Sequence, residues 1–179
     1  PFENIDPRWN YTTYYTGQPI GTSTFNSLPD SPTADRVRSS EFSTVNGYNL
    51  KKWVDFAADG SNPNTGSINM ILIRYADILL MYAESKIELG EIDDSVYDAI
   101  NEVRQRPTVE MPIITSGKSQ EELRAIIRDE RAVELAFEGL RLYDMNRWKI
   151  GEEKVGTVEG LYYLNTASGE WETITSGMT

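Results

Sequence analysis

The sequence predicts a mainly α fold built from helix hairpins, with long loop insertions and a short β-hairpin at the C-terminal end. Three observations predict it. Residues 69–151 carry apolar side chains at helical spacing. Residues 1–68 are rich in Pro, Gly, Ser, Thr, Asn and aromatics and show no sustained period, and residues 152–179 alternate weakly. The chain accordingly divides into a loop-rich segment with short strands (1–68), a helical core (69–151) and a C-terminal extension (152–179).

In the loop-rich segment, the strand candidates are Tyr11-Thr12-Thr13-Tyr14-Tyr15 and Asn46-Gly47-Tyr48-Asn49-Leu50. A first helix is predicted from about Ile71 to Leu89, with Tyr75, Ala76, Leu79, Leu80, Ala83 and Ile87 on one stripe and Gly90 ending it. Ile78, Met81, Tyr82 and Leu89 widen that stripe, which predicts a helix packed between neighbours, with Tyr75 in the core. A second helix runs from Asp94-Ser95 to before Pro107, with Val96, Ile100 and Val103 inward. Ser119-Gln120-Glu121-Glu122 is a capping box that opens a third, whose inner positions are Leu123, Ile126, Ile127, Val133, Ala136 and Phe137, up to a break at Gly139. The fourth, about Leu140 to Trp148, turns Leu142, Met145 and Trp148 to one side. Short connections imply that these helices pair as hairpins. Leu161-Tyr162-Tyr163-Leu164 and Trp171-Glu172-Thr173-Ile174, separated by Thr166-Ala167-Ser168-Gly169, predict the terminal β-hairpin.

Composition narrows the chemistry. The 179 residues contain 28 acidic and 17 basic side chains, a net charge of −11, which argues against nucleic acid and polyanions and favours neutral or cationic ligands. Cysteine and histidine are both absent, which removes thiol nucleophiles, disulfides, Cys/His zinc sites and histidine-dependent triads. No cofactor is expected. No apolar run approaches the roughly 18 residues of a membrane span. The chain begins at Pro1 with neither an initiator Met nor a signal peptide, which suggests a fragment or a processed product.

One feature departs from simple amphipathic patterning. Glu130 falls on the inner stripe of the third helix among Arg128, Arg131, Glu134 and Glu138, followed by Arg141, Asp144 and Arg147. Arg131 and Glu134, and Asp144 and Arg147, are i,i+3 neighbours able to pair. Two of these acids could form a glycosidase-like carboxylate pair. The favoured reading is structural. Each acid has an arginine within helical reach, which lowers a carboxyl pKa, whereas a general acid needs it raised.

Several segments resemble the SusD/RagB family. They are Phe2–Arg8 (FENIDPR), Arg74–Glu84 (RYADILLMYAE), Ala99–Arg106 (AINEVRQR) and Glu122–Trp148 (ELRAIIRDERAVELAFEGLRLYDMNRW), in the family's order over about residues 1–150. The resemblance implies a SusD-like, tetratricopeptide-like α-superhelix with loop insertions. It also implies a lipid-anchored protein on the outer-membrane surface of Bacteroidetes-type bacteria, seated as a lid on a SusC-like TonB-dependent transporter. Such proteins bind oligosaccharides or polysaccharides, or peptides in the RagB-like branch, and pass them inward without being enzymes. The family's anchor cysteine and early helices do not occur in this chain, nor do its usual closing segments after Trp148.

Sugar recognition joins aromatic faces to polar side chains. The loop aromatics Trp9, Tyr11, Tyr14, Tyr48 and Trp53 are the candidate ligand contacts, with Trp9 and Trp53 as the platform. The competing reading makes these rings anchors that pack the loops on the helices. Lys51 and Lys52 beside Trp53 could instead mark a protein contact. Asp55, Asp59, Asn62 and Asn64 are oxygen-rich but lack EF-hand spacing, and a solvated turn is expected there. Beside glycan binding stand peptide binding, a helical protein-interaction scaffold and a hydrolase; the last has no motif here.

Overall fold

A computed structural model of the chain describes residues 5–33, 36–37, 44, 46–54, 68–154, 162–165 and 167–173. The expectations placed on Phe2, Glu3, Asn4, Asp55, Asp59, Asn62, Asn64, Leu161, Thr166 and Ile174 lie outside those residues. In chain order the helices are α1 (Trp9–Thr12), α2 (Tyr75–Leu89), α3 (Asp94–Arg104), α4 (Gln120–Glu134), α5 (Arg141–Trp148) and α6 (Gly151–Lys154). The strands are β1 (Thr13–Tyr14), β2 (Pro19–Ile20), β3 (Ser23–Thr24), β4 (Asn49–Leu50), β5 (Tyr162–Leu164) and β6 (Trp171–Thr173). The fold is mainly α, and the chain forms two compact units, residues 1–11 with 69–150 and residues 12–68 with 151–179.

The first unit is organised by three helices. Leu80, Ala83 and Ile87 of α2, Val96, Ile100 and Val103 of α3, and Leu123 and Ile127 of α4 are at most 2% exposed and pack as one cluster. Full burial of each larger aliphatic chain contributes about 1.5–3 kcal/mol. The ends of the helices follow from local chemistry. Gly90 takes φ 75°. Its N–H donates to Ile87 C=O and that of Glu91 to Lys86 C=O, a Schellman arrangement that a Cβ would strain. The Asp93 carboxylate accepts the Ser95 N–H at the start of α3. Ser119 and Glu122 form the reciprocal capping box of α4, worth about 1 kcal/mol. The loop after α3 is tied back by Asn101, whose amide donates to Ile114 C=O (2.9 Å) and accepts from Ile114 N–H (2.7 Å).

Several positions differ from expectation, each for a physical reason. α2 starts four residues later than Ile71, because Arg74 is held extended (φ −116°, ψ 148°) while its guanidinium reaches Glu134 and Glu138. Tyr75 is not a core residue: it is 66% exposed. Ile78, Met81, Tyr82 and Leu89 are exposed too, since α3 and α4 pack on the opposite side of α2. α4 stops at Glu134 and the chain reverses through residues 135–139, with Phe137 at φ 61° and Gly139 at φ 80°. Leu135 takes the buried position there, and Val133 and Phe137 face outward. On α5, Leu142 is exposed, Met145 and Trp148 are half-buried, and only Asp144 is buried.

In the second unit β1 pairs antiparallel with β4, joining the two segments that the sequence marks as strands, although Tyr11 belongs to α1. β2 and β3 form a tight hairpin across Gly21-Thr22. Tyr14 stacks on Phe25 at 5.9 Å, and Phe25 is 1% exposed. β5 and β6 form the expected C-terminal hairpin, in register Leu164↔Trp171. Its turn is closed by the Asn165 side chain, which accepts the Ala167 N–H at 2.9 Å.

Ile127→Ala removes a fully buried side chain from the three-helix core. It should cost about 2–5 kcal/mol in urea denaturation. A loss under about 1 kcal/mol would show that the site collapses without leaving a cavity.

Candidate functional site

The inner stripe of α4 changes character halfway along. Leu123, Ile127, Glu130 and Glu134 recur at helical spacing and are all buried, so the apolar line of the first two turns continues as two carboxylates. Two buried like charges one turn apart repel strongly in a low dielectric. Arginines from other parts of the chain offset that repulsion.

The Arg8 guanidinium is buried between the two acids, and its Nη1 donates to Glu130 Oε1 (2.5 Å) and Glu134 Oε2 (2.9 Å). Arg104 Nη1, at the end of α3, donates to Glu130 Oε2 at 2.6 Å. Arg106 Nη1 and Arg74 Nη1 donate to the two oxygens of Glu134 at 2.6 and 2.9 Å. Arg74 also grips Glu138 through Nε (2.9 Å) and Nη2 (2.8 Å). Burial alone would raise the Glu134 carboxyl pKa, but Arg106, Arg8 and Arg74 outweigh it and hold it below the ordinary value of 4.5. Burial would lower the Arg8 pKa, but bonding to Asp6, Glu130 and Glu134 raises it instead.

A second cluster lies around Arg131, whose side chain is 4% exposed. It donates to both oxygens of Asp144 (3.0 and 3.2 Å) and to Asp77 Oδ1 (2.9 Å). Arg147 pairs with Asp144 through Nη2 at 2.8 Å and with Glu84 through both Nη atoms. Trp148 Nε1 completes Glu84 at 2.7 Å. Arg128 stacks over the Trp148 ring at 5.1 Å.

The sequence-marked charges are therefore placed as follows. Glu130, Glu134 and Glu138 pair with Arg8, Arg74, Arg104 and Arg106, and Asp144 pairs with Arg131 and Arg147. The expected Arg131–Glu134 pair does not form, because Arg131 turns to Asp77 and Asp144. Arg141 makes no ion pair among the described residues. Sequence reasoning missed Arg8, Arg74, Arg104, Arg106, Asp77 and Glu84 as partners. All six stand in the segments that resemble the family, but only tertiary structure brings them to α4 and α5.

The candidate ligand contacts divide between the units. Trp9, half-buried, and Tyr11, 58% exposed, lie on α1 in the first. Tyr14, Tyr48 and Trp53 lie in the second. Tyr14 is 6% exposed, with Phe25 against its ring and Lys51 Nζ 5.3 Å from its centre, so it is a packing residue rather than an open platform. Tyr48 and Trp53 are half-buried, and Trp53 sits at φ 79°. The N–H groups of Lys51 and Lys52 both donate to Thr12 C=O. Within the first unit, a groove of about 590 Å³ is lined by Arg74, Tyr75, Leu79, Glu102, Gln105 and Arg106 among others. No group of acids among the described residues is arranged to hold a metal, and none of their helices is long and apolar enough to cross a membrane.

The first unit is thus a helical scaffold stapled by arginine–carboxylate pairs. The SusD family model matches residues 1–170, and the chain belongs to that family. It is 37% identical over 118 residues to SusD-like protein P2 of Formosa agariphila, covering 63% of this chain and 23% of that protein. SusD-like protein P38 of the same organism is 33% identical over 108 residues, covering 56% and 21%. The chain thus spans about a fifth to a quarter of the curated relatives' length. Among solved structures it is similar to a SusD-like carbohydrate-binding protein of Bacteroides fragilis, with TM-score 0.81, 27% identity, and 97% of this chain and 37% of that one covered. A second SusD-like protein of the same species gives TM-score 0.76 and 31% identity over 98% and 34%.

Two outcomes follow from the ion clusters. Arg131→Ala should cost about 3–5 kcal/mol, because it strips both Asp144 and Asp77 of a buried partner. Arg147, whose side chain is 43% exposed, should cost less. Equal losses for the two variants in thermal melts would contradict this ranking. The second concerns pH. A carboxyl held below its unfolded value contributes stability at pH above 4.5, and that contribution is lost as pH falls through the lowered folded value. Urea titrations from neutral pH down through this window should therefore show a falling stability that Glu134→Gln flattens. The same slope in both proteins would mean that other acids carry it.

Proposed function

We propose that this chain is part of a non-enzymatic glycan-binding protein of the outer-membrane surface, lipid-anchored in its full length, which delivers its ligand to a SusC-like TonB-dependent transporter. The observation that carries this reading is the likeness, over nearly the whole chain and with 27% identity, to the Bacteroides fragilis protein named for carbohydrate binding. Charge agrees with it. At net −11 the chain suits neutral sugars better than anionic ligands.

The ionic clusters support binding over catalysis. Glycoside hydrolysis needs one carboxyl whose pKa is raised so that it can give up a proton at the leaving oxygen. Glu134 is driven the other way by three arginines, and Glu130, Glu138 and Asp144 each accept from at least one guanidinium. These acids serve as clamps. Ligand contact falls to the accessible rings, with Trp9, Tyr11, Tyr48 and Trp53 as the candidates, and the faces of the two Trp rings offer the larger stacking area.

Isothermal titration of the full-length protein against neutral hexaoses (malto-, xylo- and laminari-) and against a mixed hexapeptide tests both substrate classes. Saturable heat is expected with an oligosaccharide, and Trp9→Ala or Trp53→Ala should weaken that affinity about tenfold, equivalent to about 1.4 kcal/mol. Binding of the peptide alone would move the protein to the RagB-like reading, and unchanged affinity in both variants would remove these rings from the site.

A further inference from the structure

We infer that Arg8 is a positioning residue whose buried guanidinium locks the turn carrying Trp9 and Tyr11 onto α4, and so sets where those rings meet a glycan. The inference rests on the glycan-binding reading for its ligand and on the following geometry for its mechanism.

α1 has four residues, none of them buried. A helix of one turn has no stability of its own, since nucleation is unfavourable and few bonds repay it. Its register begins one step earlier. Asp6 Oδ1 accepts the Arg8 backbone N–H at 2.9 Å, and Asp6 C=O accepts the Trp9 N–H at 3.0 Å. Arg8 C=O then accepts the Tyr11 N–H at 3.1 Å. The same Asp6 carboxylate takes Arg8 Nε (2.9 Å) and Nη2 (2.6 Å), leaving Nη1 for Glu130 and Glu134. One planar guanidinium thus joins the turn, through Asp6, to two acids of a rigid helix. Lysine could not do this, because it offers a single nitrogen where three are used.

The lock is separable from the core. Without Arg8, Glu130 keeps Arg104, and Glu134 keeps Arg74 and Arg106, so no buried acid is left without a guanidinium. The apolar cluster of α2, α3 and α4 does not include Arg8. Losing it should free the turn and leave the helices folded.

Amide hydrogen exchange and titration on full-length Arg8→Met and Arg8→Lys test this, with the same neutral hexaoses as probes. Expected for Arg8→Met is exchange at least tenfold faster at Trp9, Asn10 and Tyr11, unchanged exchange at Leu123 and Ile127, and at least tenfold weaker binding of whichever hexaose the native protein takes. Arg8→Lys should recover part of the affinity. Three results would overturn the proposal: unchanged exchange at 9–11, a uniform acceleration reaching α4, or local acceleration with unchanged affinity. If Arg8→Met does not fold, Asp6→Asn serves as a milder comparison, since it removes the charged fork on Arg8 Nε and Nη2 while leaving Nη1 on α4, and the same three results would overturn the proposal. If the native protein binds none of the hexaoses, the glycan reading fails, and the exchange arm alone still decides whether Arg8 locks the turn.

Discussion

The first unit depends on burying two glutamates one turn apart on α4. Such a pair is tolerable only if cations arrive in fixed positions, and they arrive from three separate places: Arg8 ahead of α1, Arg74 at the start of α2, and Arg104 and Arg106 at and just beyond the end of α3. Each of these arginines sits where a segment begins or ends. The ionic cluster therefore fixes chain ends in space, while the apolar half of α4 fixes the helices. Net stabilisation by buried ion pairs is small once desolvation is counted, but a mispaired arrangement would leave a buried charge unmatched and is heavily disfavoured. The clusters thus act chiefly to exclude alternative placements of the connecting segments.

Where a single helix met a single core, the sequence was readable. Val96, Ile100 and Val103 are the buried face of α3, Gly90 and Ser119 mark helix ends by backbone chemistry, and Tyr163 and Glu172 face each other in the terminal hairpin as alternation requires. Misreadings came where tertiary pairing overrides local pattern. Tyr75 continues the apolar spacing of α2, yet Arg74 beside it is drawn out to Glu134 and Glu138, which starts the helix late and leaves the ring exposed. Phe137 continues the spacing of α4, yet α4 has already ended by Leu135, which is the buried residue of that segment. Neither event has a signature within the helix it changes.

The candidate site was less legible than the fold. Glu130 stood out because a charge on an apolar stripe demands a partner, but helical reach alone suggested neighbours such as Arg131, and the true partners are up to 122 residues away. Aromatics in an aperiodic segment offer no comparable clue. Tyr14 and Tyr11 are three residues apart and alike in composition, yet one is packed on Phe25 and the other is exposed. The pairing of β1 with β4, which follows from no periodic pattern, includes Tyr14 and leaves Tyr11 on α1.

Arginine, rather than lysine, at these positions follows from what the clusters have to do. Glu134 accepts from three guanidiniums at once, and Arg74 spends its donors on Glu134 Oε1, the Glu134 backbone carbonyl and Glu138 together. A point ammonium could match the charge but not the directions, and direction is what a segment without its own apolar core needs. The same saturation bears on chemistry. A carboxylate whose lone pairs are held by several fixed cations has neither a proton to give nor a free lone pair with which to take one at neutral pH. Glu134 is in that state, its carboxyl held below the ordinary value, and it grips the chain's own connecting segments instead of offering a proton.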